Sequence, residues 1–287
     1  MSDSTPARRV GVVAKTSSET ARATATELVE WLMRRGHTVL LDEATAKAAS
    51  PPSFEPLTPE VSCDLVVVLG GDGTLLSVAR RFAGGPPILG VNLGRLGFLT
   101  EVPRAGLYPA LIELLAGRYT VEPRSLFDVE LVRPDGTRRA FRALNDAVIA
   151  KSALARIIEL RVTIEGHPVS RYRADGLVIS TPTGSTAYNL SAGGPILHPL
   201  LPVAVLTPIC PHTLTLRPLV VPDSSVLDIS LETQREKVYL TIDGQEGTDL
   251  VYHDRIRITR CPQSVSLVRV HHRTVFDVLR GKLHWGE

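Results

Sequence analysis

The sequence predicts two fold classes in one chain: a doubly wound α/β domain, then an antiparallel β-rich, sandwich-like domain, with the C-terminal segment returning to the first. Three observations carry this prediction. Across residues 1–120, short β-branched runs alternate with helical stretches, as in a parallel sheet with helices on its faces. Across 121–258 helical periodicity nearly vanishes, and alternating apolar and polar stretches take over. Across 259–287 a strand pattern and a helix pattern recur, in the texture of the first part.

The elements follow in order. VGVVA, Val10 to Ala14, is a short buried strand. Ser18 to Arg35 reads as a helix, with Glu19 near its start, Arg34 and Arg35 near its end and Gly36 placed to stop it. TVLLD, Thr38 to Asp42, is the next strand, and the proline-rich Ser50 to Glu60 reads as loop. DLVVVLG, Asp64 to Gly70, has the β-branched composition of a strand covered on both faces. A helix, the strand Pro87 to Asn92 and a helix near Leu107 to Ala116 complete the first part. In the second part the strands are Phe127 to Val132, Arg156 to Gly166, Val226 to Glu232 and Val238 to Asp243, with a PDG turn at Pro134 to Gly136. Val265 to Val270 is a strand and Thr274 to Leu283 a helix.

The 287 residues suffice for a substantial core, and 44% hydrophobic with 22% charged is ordinary for a globular protein. Aromatics at 5% argue against stacking platforms for single strands, and a net charge of +2 against nucleic acid or an acidic membrane as partner. Cys63, Cys210 and Cys261 are far apart and fit a reducing compartment. MSDSTPARRV lacks the apolar core of a signal peptide, and no apolar run approaches the ~20 residues of a membrane helix. A cytoplasmic protein is expected.

The loops carry the chemistry. GGDGT, Gly70 to Thr74, lies between a strand and a helix, where open α/β sheets gather ligands. Its glycines let backbone amides approach an anion, so Gly70, Gly71, Gly73 and Thr74 are candidate phosphate contacts. Without a following lysine it is not a Walker A loop, and a bare βα turn is the competing reading. Asp72 decides against that: beside phosphate a carboxylate needs a task, such as holding a bridging metal or accepting a hydroxyl proton. GVNLGRLGFLTE, Gly90 to Glu101, carries Asn92 and Arg95. Asn145 and Asp146 stand side by side between apolar residues. TPTGSTAYNLSAGGP follows the strand Gly176 to Ser180, and its small hydroxylated residues serve either tight packing or a polar ligand, the second being favoured with Tyr188 and Asn189 inside. His212 reads as a structural hydrogen-bonder, IDGQ (Ile242 to Gln245) as a turn or a contact in equal measure, and no zinc or serine-nucleophile motif occurs.

Together these stretches, from about Leu65 to Gln245, resemble the ATP-NAD kinases, which phosphorylate NAD to NADP. GGDGT alone is shared with diacylglycerol, sphingosine and phosphofructo-kinases; the block from Asp175 to Ile196 is far more specific. The resemblance implies that Asp72 is the catalytic base, with Gly73 beside the ligand. It implies that Asn145 and Asp146 hold NAD through ribose hydroxyls and adenine, that Asp175 meets the nicotinamide end, and that Thr186, Ala187, Tyr188, Asn189, Leu190 and Ser191 line the nucleoside pockets. Gln245 would reach the ligand from its turn, and Arg156 and Arg173 would supply polar or basic contacts. ATP, or polyphosphate, would be the donor to the 2′-hydroxyl of the adenosine ribose. A divalent cation, Mg²⁺, would come with the donor and not from a fixed protein site. A homodimer or homotetramer is implied. A lipid or sugar kinase of the same superfamily, or a non-catalytic dinucleotide sensor, are the alternatives at this point.

Overall fold

The structure, a computed structural model, describes residues 8–51, 53–94, 97–153, 155–213, 215–269 and 274–285. The chain forms two compact units, Met1–Pro123 with Val265–Glu287, and Arg124–Ser264. Their limits follow the sheets: the strand Thr120–Arg124 extends the first unit's sheet, while Arg255–Arg260 lies inside a sheet of the second.

In the first unit the strand order is Glu55–Pro56, Thr38–Leu41, Arg9–Ala14, Leu65–Gly70, Ile88–Asn92, Val265–Arg269 and Thr120–Arg124, with Val102–Pro103 also paired to Ile88–Asn92. The strands from Glu55–Pro56 through Val265–Arg269 pair in parallel. The chain winds outward from Arg9–Ala14 to Thr38–Leu41, then crosses back to lay Leu65–Gly70 on the other side. That reversal is the switch point where such sheets bind ligands, and GGDGT leaves the carboxyl end of the strand beside it.

Leu65–Gly70 and Ile88–Asn92 are buried at every residue, which explains their unbroken apolar character. The helix Glu19–Arg34 is capped by Ser18, whose hydroxyl accepts the Ala21 N–H. It turns Ala21, Ala25, Leu28, Val29 and Leu32 onto the sheet, where Leu107, Leu111 and Leu114 of the helix Leu107–Leu115 join the same cluster.

Among the elements that escape the sequence pattern, two lie between Asp42 and Leu57. Glu43–Ala49 is a helix capped by Asp42, and the proline-rich stretch after it contributes the edge strand Glu55–Pro56. A proline is tolerated there because an edge strand does not use every N–H.

The last strand ends in Arg269, which pairs with Glu101 and, at 2.8 Å, with Glu122. Burial pulls the Arg269 guanidinium below its ordinary value. The described C-terminal helix, Val275–Leu283, opens with a capping box between Thr274 and Asp277.

The second unit consists of two six-stranded antiparallel sheets. One runs Leu219–Pro222, Val203–Ile209, Gly176–Ser180, Asp146–Lys151, Val238–Ile242, Glu246–Leu250. The other runs His167–Ala174, Ile158–Ile164, Leu227–Leu231, Arg255–Arg260, Phe127–Val132, Arg138–Ala143. Alternate residues of both, among them Phe127, Val129, Leu160, Leu177, Ile179, Leu240 and Ile256, fill one core. Arg138–Ala143 and Asp146–Lys151 are consecutive in sequence yet belong to different sheets, so Leu144 and Asn145 form the crossover between layers.

Candidate functional site

In the first unit, Asp72 is the first residue of the helix Asp72–Arg81, and the Gly71 N-cap brings no side-chain acceptor to that turn. A helix start of this kind suits an anion. Gly71 has φ −118° and nothing of the protein within 4 Å of where a Cβ would stand. Gly70 differs: a Cβ there would come within 2.5 Å of the Thr74 hydroxyl. Gly73 is exposed and Thr74 half-buried.

The Asp72 carboxylate turns toward the GFLT segment. Oδ1 accepts the N–H of Leu99 (3.1 Å) and of Thr100 (3.0 Å) and the Thr100 hydroxyl (2.9 Å), while Oδ2 accepts the Phe98 N–H at 2.7 Å. Thr100 is itself set by Asn92, whose amide donates to its hydroxyl at 2.8 Å. Gly97 is obligatory here, because a Cβ would fall inside the Asp72 carboxyl group. Four donors among the described residues disperse the charge of this carboxylate. Oδ2, with a single donor, keeps acceptor capacity for a ligand hydroxyl. Lys282 of the C-terminal helix lies 5.8 Å from the Phe98 ring centroid. Arg95, singled out in the sequence, lies outside the described residues.

The second unit divides its candidate residues between two ends of one strand pair. Asp146 pairs with Ser180 and Ala150 with Gly176. Asn145 and Asp146 are therefore at one end, and Asp175, one residue before Gly176, is at the other, about 17 Å from Asp146 at the usual rise per residue.

At the first end, Asp146 is 3% exposed, and its carboxyl has no hydrogen-bond partner among the described residues. Burial, and then the neighbouring Asp243 carboxylate, push its pKa up to about 7. The Asn145 carbonyl accepts the Thr181 N–H at 2.9 Å and the Ser180 hydroxyl at 3.2 Å. Gly184 packs on the Asn145 backbone so closely that a Cβ would overlap its carbonyl. Gln245 is exposed, its N–H closing the turn on Ile242 at 2.9 Å.

The hydroxylated block folds as a 3-10 turn, Thr183–Thr186, and a single helical turn, Tyr188–Ser191. Much of it faces inward. Asn189 is 0% exposed: its amide donates to the carbonyls of Ser185 and Pro195 at 3.0 Å and accepts the Thr207 hydroxyl at 2.6 Å. The Ser185 hydroxyl donates to the Pro182 carbonyl and accepts the Leu197 N–H. Thr186, Ala187 and Leu190 are half-buried, Ser191 is exposed and Tyr188 is 45% exposed. The Thr183 hydroxyl, which the sequence did not single out, is buried without a partner.

At the other end, Lys151 Nζ lies 3.6 Å from Asp175 Oδ1. Arg173 is exposed on the edge strand His167–Ala174, its carbonyl accepting the His212 N–H, and Arg156 is exposed, its N–H donating to Glu236.

Models of two domains match this chain: the ATP-NAD kinase N-terminal domain over residues 10–119 and the ATP-NAD kinase C-terminal domain over 144–270. The chain belongs to the ATP-NAD kinase family. It is 47% identical over 283 residues to the NAD kinase of Solibacter usitatus (strain Ellin6076), covering 98% of each chain. It is 48% identical over 283 residues to the NAD kinase of Geotalea daltonii, covering 98% of this chain and 99% of that one. Among solved structures it resembles yeast NADH kinase complexed with NADH, at TM-score 0.90 and 27% identity, covering 98% of this chain and 89% of that one. It also resembles an NAD kinase from Archaeoglobus fulgidus in complex with ATP, at TM-score 0.74 and 27% identity, covering 96% and 98%. Membership over the full chain makes this an ATP-NAD kinase that phosphorylates NAD with ATP, and the lipid-kinase, sugar-kinase and sensor readings fall away.

Proposed function

We propose that Asp72 is the residue on which NAD phosphorylation turns. Its Oδ2, with one donor where Oδ1 has three, carries that reading. The acceptor site left on Oδ2 takes the 2′-hydroxyl of the adenosine ribose, removing its proton or holding it in line for the γ-phosphoryl group. Phosphoryl transfer passes through a loose transition state, so alignment and charge neutralisation matter more than proton removal. The amides around Gly70, Gly71, Gly73 and Thr74 at the helix start receive the donor phosphates. ATP is the donor.

Asn145 and Asp146 hold the adenosine part, and Asp175, with Arg156 and Arg173 nearby in sequence and sheet, meets the nicotinamide end. Thr186, Ala187, Tyr188, Leu190 and Ser191 line the pockets, Asn189 holds their turn from inside, and Gln245 adds a contact. Among the described residues no three His, Cys, Asp or Glu side chains converge to hold a metal ion. A cation carried by the phosphates, Mg²⁺, would offset the charge of the transferred group. The protein works as a homodimer or homotetramer in the cytoplasm; among the described residues no helix is long and apolar enough to cross a membrane.

The test is NADP formation from NAD, ATP and Mg²⁺ by wild type and Asp72→Asn. A folded variant slower by ~10²-fold or more supports the role of Asp72, since a positioned base contributes ~10²–10⁴-fold. Equal rates would remove it.

A further inference from the structure

The crossover at Leu144 and Asn145 creates a difficulty that the sandwich alone does not solve. Where the chain leaves one sheet for the other, Leu144 and Asn145 lie outside both ladders and Asp146 begins the next strand, and buried amides need acceptors. All three find the same one. The Asp243 carboxylate accepts the N–H of Leu144 at 3.1 Å, of Asn145 at 2.8 Å and of Asp146 at 3.0 Å. The contact is reciprocal, because the Asp243 N–H donates to the Asp146 carbonyl at 2.9 Å. Asp243 is 8% exposed and sits at φ +50°, followed by Gly244 at +65°, in the tight turn between Val238–Ile242 and Glu246–Leu250. An aspartate can adopt that left-handed backbone where most side chains resist it.

We propose that Asp243 is a positioning residue for NAD recognition. Its carboxylate fixes the backbone from which Asn145 and Asp146 reach the ligand. The inference rests on Asn145 and Asp146 being NAD contacts. The hydrogen-bond geometry carries this. Three hydrogen bonds from one carboxylate define the position of the Asn145–Asp146 backbone from two sides of the turn. The same negative group is, after burial, the second cause that raises the Asp146 pKa.

The experiment uses the full chain with Asp243→Asn and Asp146→Asn, steady-state kinetics in NAD and in ATP, and the pH dependence of KM for NAD. Asparagine tolerates the left-handed backbone, so the turn is kept while one acceptor and the charge are lost; Asp243→Gly is the second variant, keeping the turn with no side chain. The expected result for Asp243→Asn is a KM for NAD raised about ten- to a hundredfold, as losing hydrogen bonds to a charged group implies, with KM for ATP unchanged. The NAD pH profile also shifts to lower pH, because Asp146 ionises more readily once its negative neighbour is gone. A purely structural role for Asp243 would affect both substrates and leave the profile in place. If Asp146→Asn raises KM for NAD while both Asp243 variants leave KM and the profile as in wild type, the positioning role is overturned. If Asp146→Asn also leaves KM for NAD unchanged, the NAD assignment of the Asn145–Asp146 pair fails, and the inference with it.

Discussion

Asp72 and Asp146 are both carboxyl groups of sequence motifs, and their surroundings are opposite. Asp72 receives four donors from a single loop, whereas Asp146 is buried with none from the described residues. A filled carboxylate is an oriented anion whose place is over-determined by its neighbours. The buried Asp146 carboxyl has its pKa raised and, among the described residues, no hydrogen-bond partner. Sequence alone would not separate the two. Asp243 shows the first kind of construction again in the second unit: like Asp72 it precedes a glycine and gathers three consecutive amides of a distant loop.

The contrast can be broken at four points. Asp72→Asn carries the largest effect, as stated above. Gly97→Ala comes next: its Cβ displaces the Asp72 carboxyl, and misplacement by about 1 Å costs ~10²-fold in rate, so kcat should fall steeply with KM for NAD little changed. Asp146→Asn should raise KM for NAD by about tenfold, the loss of one good hydrogen bond, and leave KM for ATP alone.

Asp146→Asn has a second, thermodynamic readout. Because the folded-state pKa is raised from 3.8 to about 7, the folded protein holds a proton that the unfolded chain releases. That contribution to stability is complete below about pH 4 and is lost as pH rises through about 7. Thermal unfolding of ligand-free wild type should therefore decline across that window, and the Asn variant should show a flatter profile.

Gly71→Ala carries the smallest effect on the fold. Nothing of the protein opposes the Cβ, and the gain from a less flexible unfolded chain is offset by a poorer N-cap, so stability should move by less than about 1 kcal/mol. KM for ATP should nevertheless rise. A large drop in melting temperature with ATP use intact would show that Gly71 serves the fold and not the phosphates.

Much of this was legible beforehand. Runs such as LVVVLG announce a buried parallel strand because every residue is apolar, and the alternation in FDVELV announces a sheet with one covered face. The helix Glu43–Ala49 escaped because seven residues are too few to display a period; its signal was Asp42, an N-cap. In the site, residue types were readable and directions were not. Asn189 sits in the same run as Tyr188, yet one points into the protein and the other outward. Asp243 was visible as half of a DG turn, but its grip on Leu144–Asp146 joins residues nearly a hundred positions apart and depends on the crossover between sheets. The same holds for the unpartnered hydroxyl of Thr183.

The return of Val265–Arg269 to the first sheet bears on how the chain is made. During synthesis the ribosome delivers the first unit's N-terminal strands long before their neighbour, and the whole second unit emerges in between. Until then, Ile88–Asn92 has Leu65–Gly70 beside it but lacks Val265–Arg269, and Glu101 and Glu122 lack Arg269. Closing the sheet without Arg269 would leave Glu101 short of the cation it pairs with, which is unfavourable for a buried carboxylate. Loss of the last twenty or so residues would therefore be felt in the N-terminal sheet and not where the cut was made.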